Sequence, residues 1–468
     1  MNPLLKRLYD ASPVAAQNFL LSRFSAKLDR QRYGGRFAQF SALMQESERW
    51  DRPRMAAWQD ERLRAIISHA YEHVPYYKEL FDRHGVRADK FRGQEDLAKI
   101  PVLTRATLRS RMKDLISRKH PERTLAQGHT SGTTGSPLEM RYSTDMMHMN
   151  YAAFDRQYRW AGIRLSRGGD PVAMLRGNII VPLQQKKPPF WRTNAVHNQL
   201  LLSNFHLTTD NIPYYFDALR EHGTRALDGY PSSVYVLAKV LLNRGERLPL
   251  HAVLTSSETL FDFQRAAIEE AFQCRIFDYF GAAERVIFAV ECDRHEGHHL
   301  CEEYGFTEVL DAEYRAVSPG DEGYLVGTTL HNTGMPLIRY QTSDLSALKT
   351  KPCSCGRQLP LMEDVATKAE DLLKLADGRV ISPSALTHPF KPLNSIEASQ
   401  IVQTQINQIT IRLVPRPDYS ESDGTRLVSD LKARLGQEMQ IAIELVDTLP
   451  RTKSGKFKWV ISHVATGL

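Results

Sequence analysis

The stretch HTSGTTGSPLEM, His129 to Met140, sets Gly132 and Gly135 among the hydroxyls of Thr130, Ser131, Thr133, Thr134 and Ser136. Glycine reaches positive φ at no steric cost, so consecutive backbone N–H groups here can converge into an anion-binding nest, with the hydroxyls as further donors. Phosphate is the natural guest. A P-loop would need Lys directly after its last glycine, and Gly135 is followed by Ser136 and Pro137. Taken alone, the run reads equally as a Ser/Gly hairpin turn. A second group of chemically able residues is sulfur and imidazole. Four of the five cysteines fall in two short runs, CDRHEGHHLC from Cys292 to Cys301 and CSC from Cys353 to Cys355. Under reducing conditions such clusters bind metal more often than they form disulfides, and thiolate with imidazole favours four-coordinate Zn²⁺. The expected ligands are Cys292, His298, Cys353 and Cys355, with His295, His299 and Cys301 as alternatives. The spacing is not a standard zinc-finger pattern, and two unrelated surface loops are the competing reading.

These residues sit in a chain of 468, too long for one ordinary core, so two or more domains are expected. Hydrophobic residues at 42% and charged residues at 25% are those of a soluble globular protein. No apolar run approaches bilayer length; the best, IIVPL at Ile179, is very short. Lys6, Arg7 and Asp10 interrupt any secretory h-region, and with few cysteines this predicts a cytoplasmic protein. The net charge of +7 is uneven: residues 1–36 hold seven Lys/Arg against two Asp. That arm reads either as a solvated helix or as a basic amphipathic segment making peripheral contact with an anionic membrane or partner. The small balance over the remaining 432 residues argues against nucleic acid as a ligand.

The elements that must position these groups follow from periodicity. Residues 54 to 120 read mainly as helix, with Pro75 ending or kinking the pattern in RLRAIISHAYEHVPYYKELF. From about 125 to 345, β-type runs (TRALDGY, HAVLTSS, CRIFDYFG, GYLVGTTL) alternate with helical ones, the pattern of an α/β protein. Near residue 366 the character changes. QITIRLV alternates Ile409, Ile411 and Leu413; TRLVSDLKARLG sets Leu427, Leu431 and Leu435 on one helical face and stops at Gly436; MQIAIELV alternates Met439, Ile441, Ile443 and Leu445. This predicts a compact second domain of roughly 100 residues, joined through TKAEDLLKLADG.

Further motifs follow the opening loop in a fixed order: TSSETL at Thr255, DYFGAAE at Asp278, RYQTSDL at Arg339 and PRTKSGK at Pro450. Together with TSGTTGSP this set resembles the adenylate-forming superfamily of acyl-CoA synthetases and carrier-protein adenylation domains. HAYEHVPYYKELF, IPVLTR, GYPSSVY and CSCGR are similar to its phenylacetate–CoA ligase branch, and most to relatives in capsular-polysaccharide biosynthesis. The resemblance implies an α/β fold: a basic helical arm over 1–40, a large multi-sheet N-terminal domain over 41–368, and a small mobile α+β domain over 369–468.

It also implies the chemistry. A carboxylate attacks the α-phosphate of ATP, pyrophosphate leaves, and the acyl group passes to the thiol of coenzyme A or to an amine, hydroxyl or carrier-protein acceptor. Thr130 to Gly135 would cradle the β- and γ-phosphates. Glu284 matches the Mg²⁺-binding glutamate, with a surface glutamate as the plain alternative. Phe280 stands where an aromatic ring stacks on adenine, unless it is core; Asp278 matches a position reading the adenine amino group. Tyr279, Gly281 and Ala282 complete that wall, and Ser257 and Glu258 match the segment on the adenine's other side. Asp344 matches the ribose-binding aspartate, although Ser343 replaces the usual glycine before it. Lys456 matches the catalytic lysine, or is one more solvated Lys beside Lys453 and Lys458. The hinge falls at Glu370 or Asp371. The acyl pocket is expected at Tyr230, Pro231, Tyr235 and Ala283, which would favour an aromatic or other apolar acid. Dimers are common in this branch.

Overall fold

The computed structural model describes residues 3–130, 138–165, 167–365, 372–381, 383–393, 395–449 and 458–464. The loop Ser131–Gly135, the hinge candidates Glu370 and Asp371, and Lys456 lie outside these described residues.

The first long helix of the body, Arg52–His73, starts where the Asp51 carboxylate accepts from the Arg54 N–H (2.9 Å). It stops at Val74, because Pro75 has no N–H to continue the ladder, and a new helix, Pro75–His84, begins at that proline. Gly85 ends it at φ 65°, a value that favours glycine. Leu63, Ile66 and Ile67 of the first helix and Tyr77 and Phe81 of the second are buried in one core.

The runs TRALDGY, HAVLTSS and CRIFDYFG become Ala226–Gly229, Ala252–Ser256 and Arg275–Gly281. With Val172–Arg176 and Gln199–Ser203 they make the five-stranded parallel centre of a nine-stranded sheet. The helices Ile212–Glu221, Pro231–Asn243 and Asp262–Phe272 are its crossovers. Both flanks are antiparallel: Trp191–Asn194 on one edge, and Phe288–Glu291, His298–Leu300 and Leu361–Met362 on the other. GYLVGTTL does not join this sheet. Its strand, Gly323–Thr329, is the middle of a separate antiparallel sheet between Gly305–Leu310 and Tyr340–Ser346. Gly305 is required there, since a Cβ would run into the Val286 carbonyl.

The C-terminal region is a smaller α+β domain. Ile396–Gln405, Gln408–Pro415, Gln440–Leu445 and Val460–Ser462 form one mixed sheet, covered by the helix Glu421–Leu435. Ile409, Ile411, Leu413, Leu427, Leu431 and Leu435 are buried as their spacing predicts, and the chain turns at Gly436 with φ 114°. The run MQIAIELV differs. Only Met439 is buried, Ile441 and Ile443 are half-buried and Leu445 is exposed, because Gln440–Leu445 is the sheet's edge.

The basic arm is neither free nor merely solvated. It forms the helices Pro3–Ala11 and Val14–Arg32, and the second lies along the edge strand Trp191–Asn194. Asn18 Oδ1 accepts from the Thr193 N–H (3.0 Å), and Ser22 Oγ from the Ala195 N–H (3.1 Å). Asn194 Nδ2 donates to Ser25 Oγ (3.0 Å), and Asp29 pairs with His197 (2.6 Å). A sheet edge otherwise open to pairing with another chain is thereby covered.

Leu431 is fully buried between helix and sheet. Leu431→Ala is expected to destabilise the C-terminal domain by about 2–5 kcal/mol, read as an earlier unfolding transition by calorimetry; an unchanged melt would contradict this packing.

Candidate active site

In an open parallel sheet, ligands bind outside the carboxyl ends of the strands where the strand order reverses. Here the order reverses at Val172–Arg176, whose neighbours are Gln199–Ser203 on one side and Ala226–Gly229 on the other. The segments leaving the carboxyl ends beside it carry the expected residues. After Gly229 comes Tyr230; after Ser256 come Ser257 and Glu258; Arg275–Gly281 carries Asp278, Tyr279 and Phe280 and leads into Ala282, Ala283 and Glu284. All of these line one cavity of about 680 Å³, with Thr130 and Asp344.

Each side chain has a physical reason for its place. Ser257 adopts φ 71°, unusual for a residue with a Cβ, and this turns the chain sharply at the strand end. Glu258 accepts from the Ser232 N–H (3.1 Å) at the start of the helix Pro231–Asn243, and burial pushes its carboxyl up, against the bonds from Ser232 and Ser384. Asp278 accepts from Thr255 Oγ1 (2.6 Å) and faces His298 Nε2 (3.2 Å). His298 Nδ1 lies 3.1 Å from Asp364. Burial alone would lower the His298 pKa, but the hydrogen bonds to Asp278 and Asp364 outweigh it and hold it at about 10. Tyr279 stacks on Phe288 at 5.0 Å. Phe280 lines the cavity and has no ring neighbour among the described residues, as a ring awaiting a flat ligand requires. Glu284 accepts from the Tyr340 hydroxyl (3.1 Å) and lies 3.6 Å from the Arg105 guanidinium. The Asp344 N–H donates to Thr342 Oγ1 (3.2 Å), at the cavity-facing part of Tyr340–Ser346.

The flanks of the opening loop pair as a hairpin, Ala126–His129 against Glu139–Tyr142. Thr130 closes its base twice: its N–H donates to the Leu138 carbonyl (3.0 Å), and its Oγ1 accepts from the Leu138 N–H (2.9 Å). The hairpin pairing of the flanks is compatible with Thr130 lining the cavity, and the loop between the flanks lies outside the described residues.

Two expected pocket residues do not line the cavity. Pro231 is buried at the first position of its helix, where its missing N–H costs nothing. Tyr235, one turn on, faces away and packs edge-on against Phe263 at 5.4 Å. Conversely, no motif or spacing pointed to three basic side chains at the cavity wall. Arg105, His129 and Lys391 all line it, and they come from three separate parts of the chain. Burial lowers the pKa of Lys391, and burial also lowers that of His129.

The metal cluster is corrected at one position. The ligand atoms of Cys292, His299, Cys353 and Cys355 all lie within 4.8 Å of one another. His298 is not among them, because it points to Asp278 on the opposite face of its strand. His295 faces Glu291 (3.5 Å) and Phe277, and Cys301 is buried near Arg156. Cys292 and Cys353 sulfurs stand 3.6 Å apart, and Cys355 Sγ lies 3.5 Å from His299 Nε2. A tetrahedral site with Zn–S near ~2.3 Å sets its sulfurs about 3.8 Å apart, so the group fits. His299 Nδ1 donates to the Leu359 carbonyl (3.1 Å), which leaves Nε2 free as a ligand. The backbone N–H groups of Arg294 and Arg357 donate to the Cys292 and Cys355 sulfurs, both at 3.4 Å.

The C-terminal residues 373–463 match the CapK C-terminal domain family. The whole chain is similar to Protein CapK of Staphylococcus aureus, at 24% identity over 98% of this chain and 100% of that one. Phenylacetate-coenzyme A ligase of Thermus thermophilus is 28% identical over 70% of this chain and 73% of its own. Among solved structures, a 2-hydroxyisobutyryl-CoA ligase bound to its acyl-adenylate and CoA superposes with a TM-score of 0.55, at 19% identity, over 88% of this chain and 91% of that one. The fold is that of the adenylate-forming CoA ligases. In this adenylate-forming fold the cavity lies where the large region meets the smaller C-terminal domain, which supplies Pro383, Ser384, Thr387 and Lys391 to its wall.

Metal analysis of the purified protein is expected to give about one zinc per chain. His299→Ala and the pair Cys353→Ser with Cys355→Ser should lose the metal and lower the melting temperature, while His298→Gln should keep it. Metal retained by His299→Ala would contradict the assignment.

Proposed function

We propose that this protein activates a carboxylic acid with ATP to an acyl-adenylate and then transfers the acyl group to the thiol of coenzyme A. The observation that carries this reading is the convergence of five sequence-distant segments on one cavity: the base of the Gly/Ser hairpin, Ser257–Glu258, Asp278–Glu284, Asp344 and the C-terminal domain. The similarity to phenylacetate-coenzyme A ligase and to a CoA ligase holding its adenylate supports it.

In the first step a carboxylate oxygen of the acid forms a bond to the α-phosphorus, and the bond to the pyrophosphate oxygen breaks. Both reactants are anionic, so the site must supply donors and positive charge. The N–H groups and hydroxyls of the loop starting at Thr130 would hold the β- and γ-phosphates. Phe280 would stack on the adenine, with Asp278 receiving its amino group and Ser257 and Glu258 along the other edge. Asp344 has two oxygens for the vicinal ribose hydroxyls. Lys456 would deliver a point charge between carboxylate and α-phosphate. Glu284 is the carboxylate facing the phosphate end, a hard oxygen donor that suits Mg²⁺ held mostly by phosphates and water; the ion, when bound, would neutralise phosphate charge. In the second step the thiolate sulfur bonds to the acyl carbon, and AMP leaves with the electrons of the bond between that carbon and the phosphate oxygen. The C-terminal domain would turn about Glu370 or Asp371 between the steps. Tyr230 and Ala283 would border the acyl group, which favours an aryl or other apolar acid.

A pyrophosphate-release screen over carboxylic acids tests the reading, followed by product analysis with coenzyme A beside amine, hydroxyl and carrier-protein acceptors. Pyrophosphate release with any acid, and a thioester in the presence of coenzyme A, is the expected result. Release without a thioester would move the acceptor to another class; no release would sink the proposal. Lys456→Ala should slow pyrophosphate exchange by on the order of 10²–10³ with ATP binding little changed; near-normal exchange would remove Lys456 from the chemistry. Glu284→Gln should raise the Mg²⁺ concentration needed for half-maximal rate, and an unchanged Mg²⁺ dependence would exclude that role.

A further inference from the structure

The arm helices Pro3–Ala11 and Val14–Arg32 carry Leu5, Leu8, Phe19, Leu20 and Phe24, each 47–64% exposed. A surface helix ordinarily turns its apolar stripe to the core and its polar side to water. Val14–Arg32 is built the other way round. Its side chains Gln17, Asn18, Ser22, Ser25 and Asp29 face the protein and bond to the segment Arg192–His197. Phe19, Leu20 and Phe24 are left pointing outward. The neighbouring helix Pro3–Ala11 is tied to the body by the Tyr9 hydroxyl, which donates to the Ile180 carbonyl (2.7 Å), and presents Leu5 and Leu8. Polar docking of this kind fixes a face of five large apolar side chains toward water, where their further burial would be favourable.

The charge around this face has one sign. Arg7, Arg23, Lys27 and Arg30 are exposed on the same two helices. Both acidic residues of the arm are engaged elsewhere, Asp10 with Lys6 (2.5 Å) and Asp29 with His197 (2.6 Å). An apolar face rimmed by unopposed cations is complementary to a surface that is apolar within and anionic at its boundary. A second copy of the chain is a poor occupant, since a two-fold contact would press this basic rim against itself.

We propose that the outward face of the arm docks on an anionic membrane surface. Phe19, Leu20, Phe24, Leu5 and Leu8 enter the headgroup boundary, and Arg7, Arg23, Lys27 and Arg30 lie over lipid phosphates. The protein then sits on the bilayer surface, while no helix among the described residues is long and apolar enough to cross it.

The test is sedimentation of the full-length protein with phosphatidylcholine vesicles, with and without phosphatidylglycerol. Binding is expected only with phosphatidylglycerol, at low salt, with release at high salt. Phe19→Ser with Phe24→Ser should weaken binding by at least about tenfold, because two large apolar side chains no longer partition, and should leave the melting temperature unchanged, because neither side chain is buried. Arg23→Gln and Lys27→Gln should each weaken it by roughly fivefold. Phe24→Trp keeps the face apolar and should shift its emission to the blue on anionic vesicles. Absence of binding to phosphatidylglycerol at low salt would overturn the proposal, as would full binding by the Phe19→Ser, Phe24→Ser pair. A dimer in solution that this pair dissociates, with no vesicle binding by the parent, would assign the face to a second copy instead.

Discussion

A β-strand sends successive side chains to opposite faces, and the strand His298–Leu300 divides two adjacent histidines between two sites. His298 turns to Asp278 at the carboxyl end of the parallel strand that borders the cavity; His299 turns to Cys355 and the sulfur cluster. The strand is held in register on both sides, against Phe288–Glu291 and Leu361–Met362. A slip of one residue would exchange the two histidines and break both sites at once. Zinc at the cluster would therefore pin, from behind, the strand whose other face orients the carboxylate on the proposed adenine wall. Glu291 adds to the same support, accepting from the Asp278 N–H (2.9 Å) while paired with Arg265.

The same alternation explains where the sequence was legible and where it was not. Periods of 2 and 3.6 located the buried faces of the C-terminal domain, since Ile409, Ile411, Leu427 and Leu431 owe their places to local pattern alone. The motifs located the cavity, because strand-end residues such as Asp278 and Glu284 lie within a few positions of each other in the chain. Adjacent histidines were beyond this reasoning: which of His298 and His299 meets the thiolates depends on which face of the strand each occupies. Pro231 and Tyr235 failed for a related reason. They follow Tyr230 in sequence, but the helix that starts at Pro231 turns each to a different side. Lys391, Arg105 and His129 were invisible because what unites them is distance in space, not spacing along the chain.

The arm shows composition under-determining placement. Seven cations in 36 residues predict affinity for anions, but they say nothing of which face of a helix meets the protein. That is decided by the edge strand Trp191–Asn194, whose backbone and side chains need hydrogen-bonding partners. Asn18, Ser22 and Ser25 meet the need, and in doing so they assign the helix its orientation. The apolar residues face outward because the sheet edge claimed the polar ones.

Charge completes the account of why two regions of the chain share one cavity. The strand ends contribute mainly hydroxyls and carboxylates: Thr255, Ser257, Glu258, Asp278 and Glu284. Such groups suit an adenine amino group, a ribose diol or a metal ion, and the carboxylates among them repel phosphate. Joining two anions therefore requires cations brought from outside the sheet. The large region gives Arg105, from the helix Arg105–Ser110 that precedes the hairpin; the smaller domain gives Lys391. Under the proposed function it would also give Lys456. Under the same reading, a cation carried on a separate domain could be withdrawn once the acyl-adenylate has formed, which would clear that side of the cavity for the incoming thiol. A parallel sheet whose carboxyl ends carry carboxylates is thus complemented by a second domain that brings a cation, Lys391, to the same cavity.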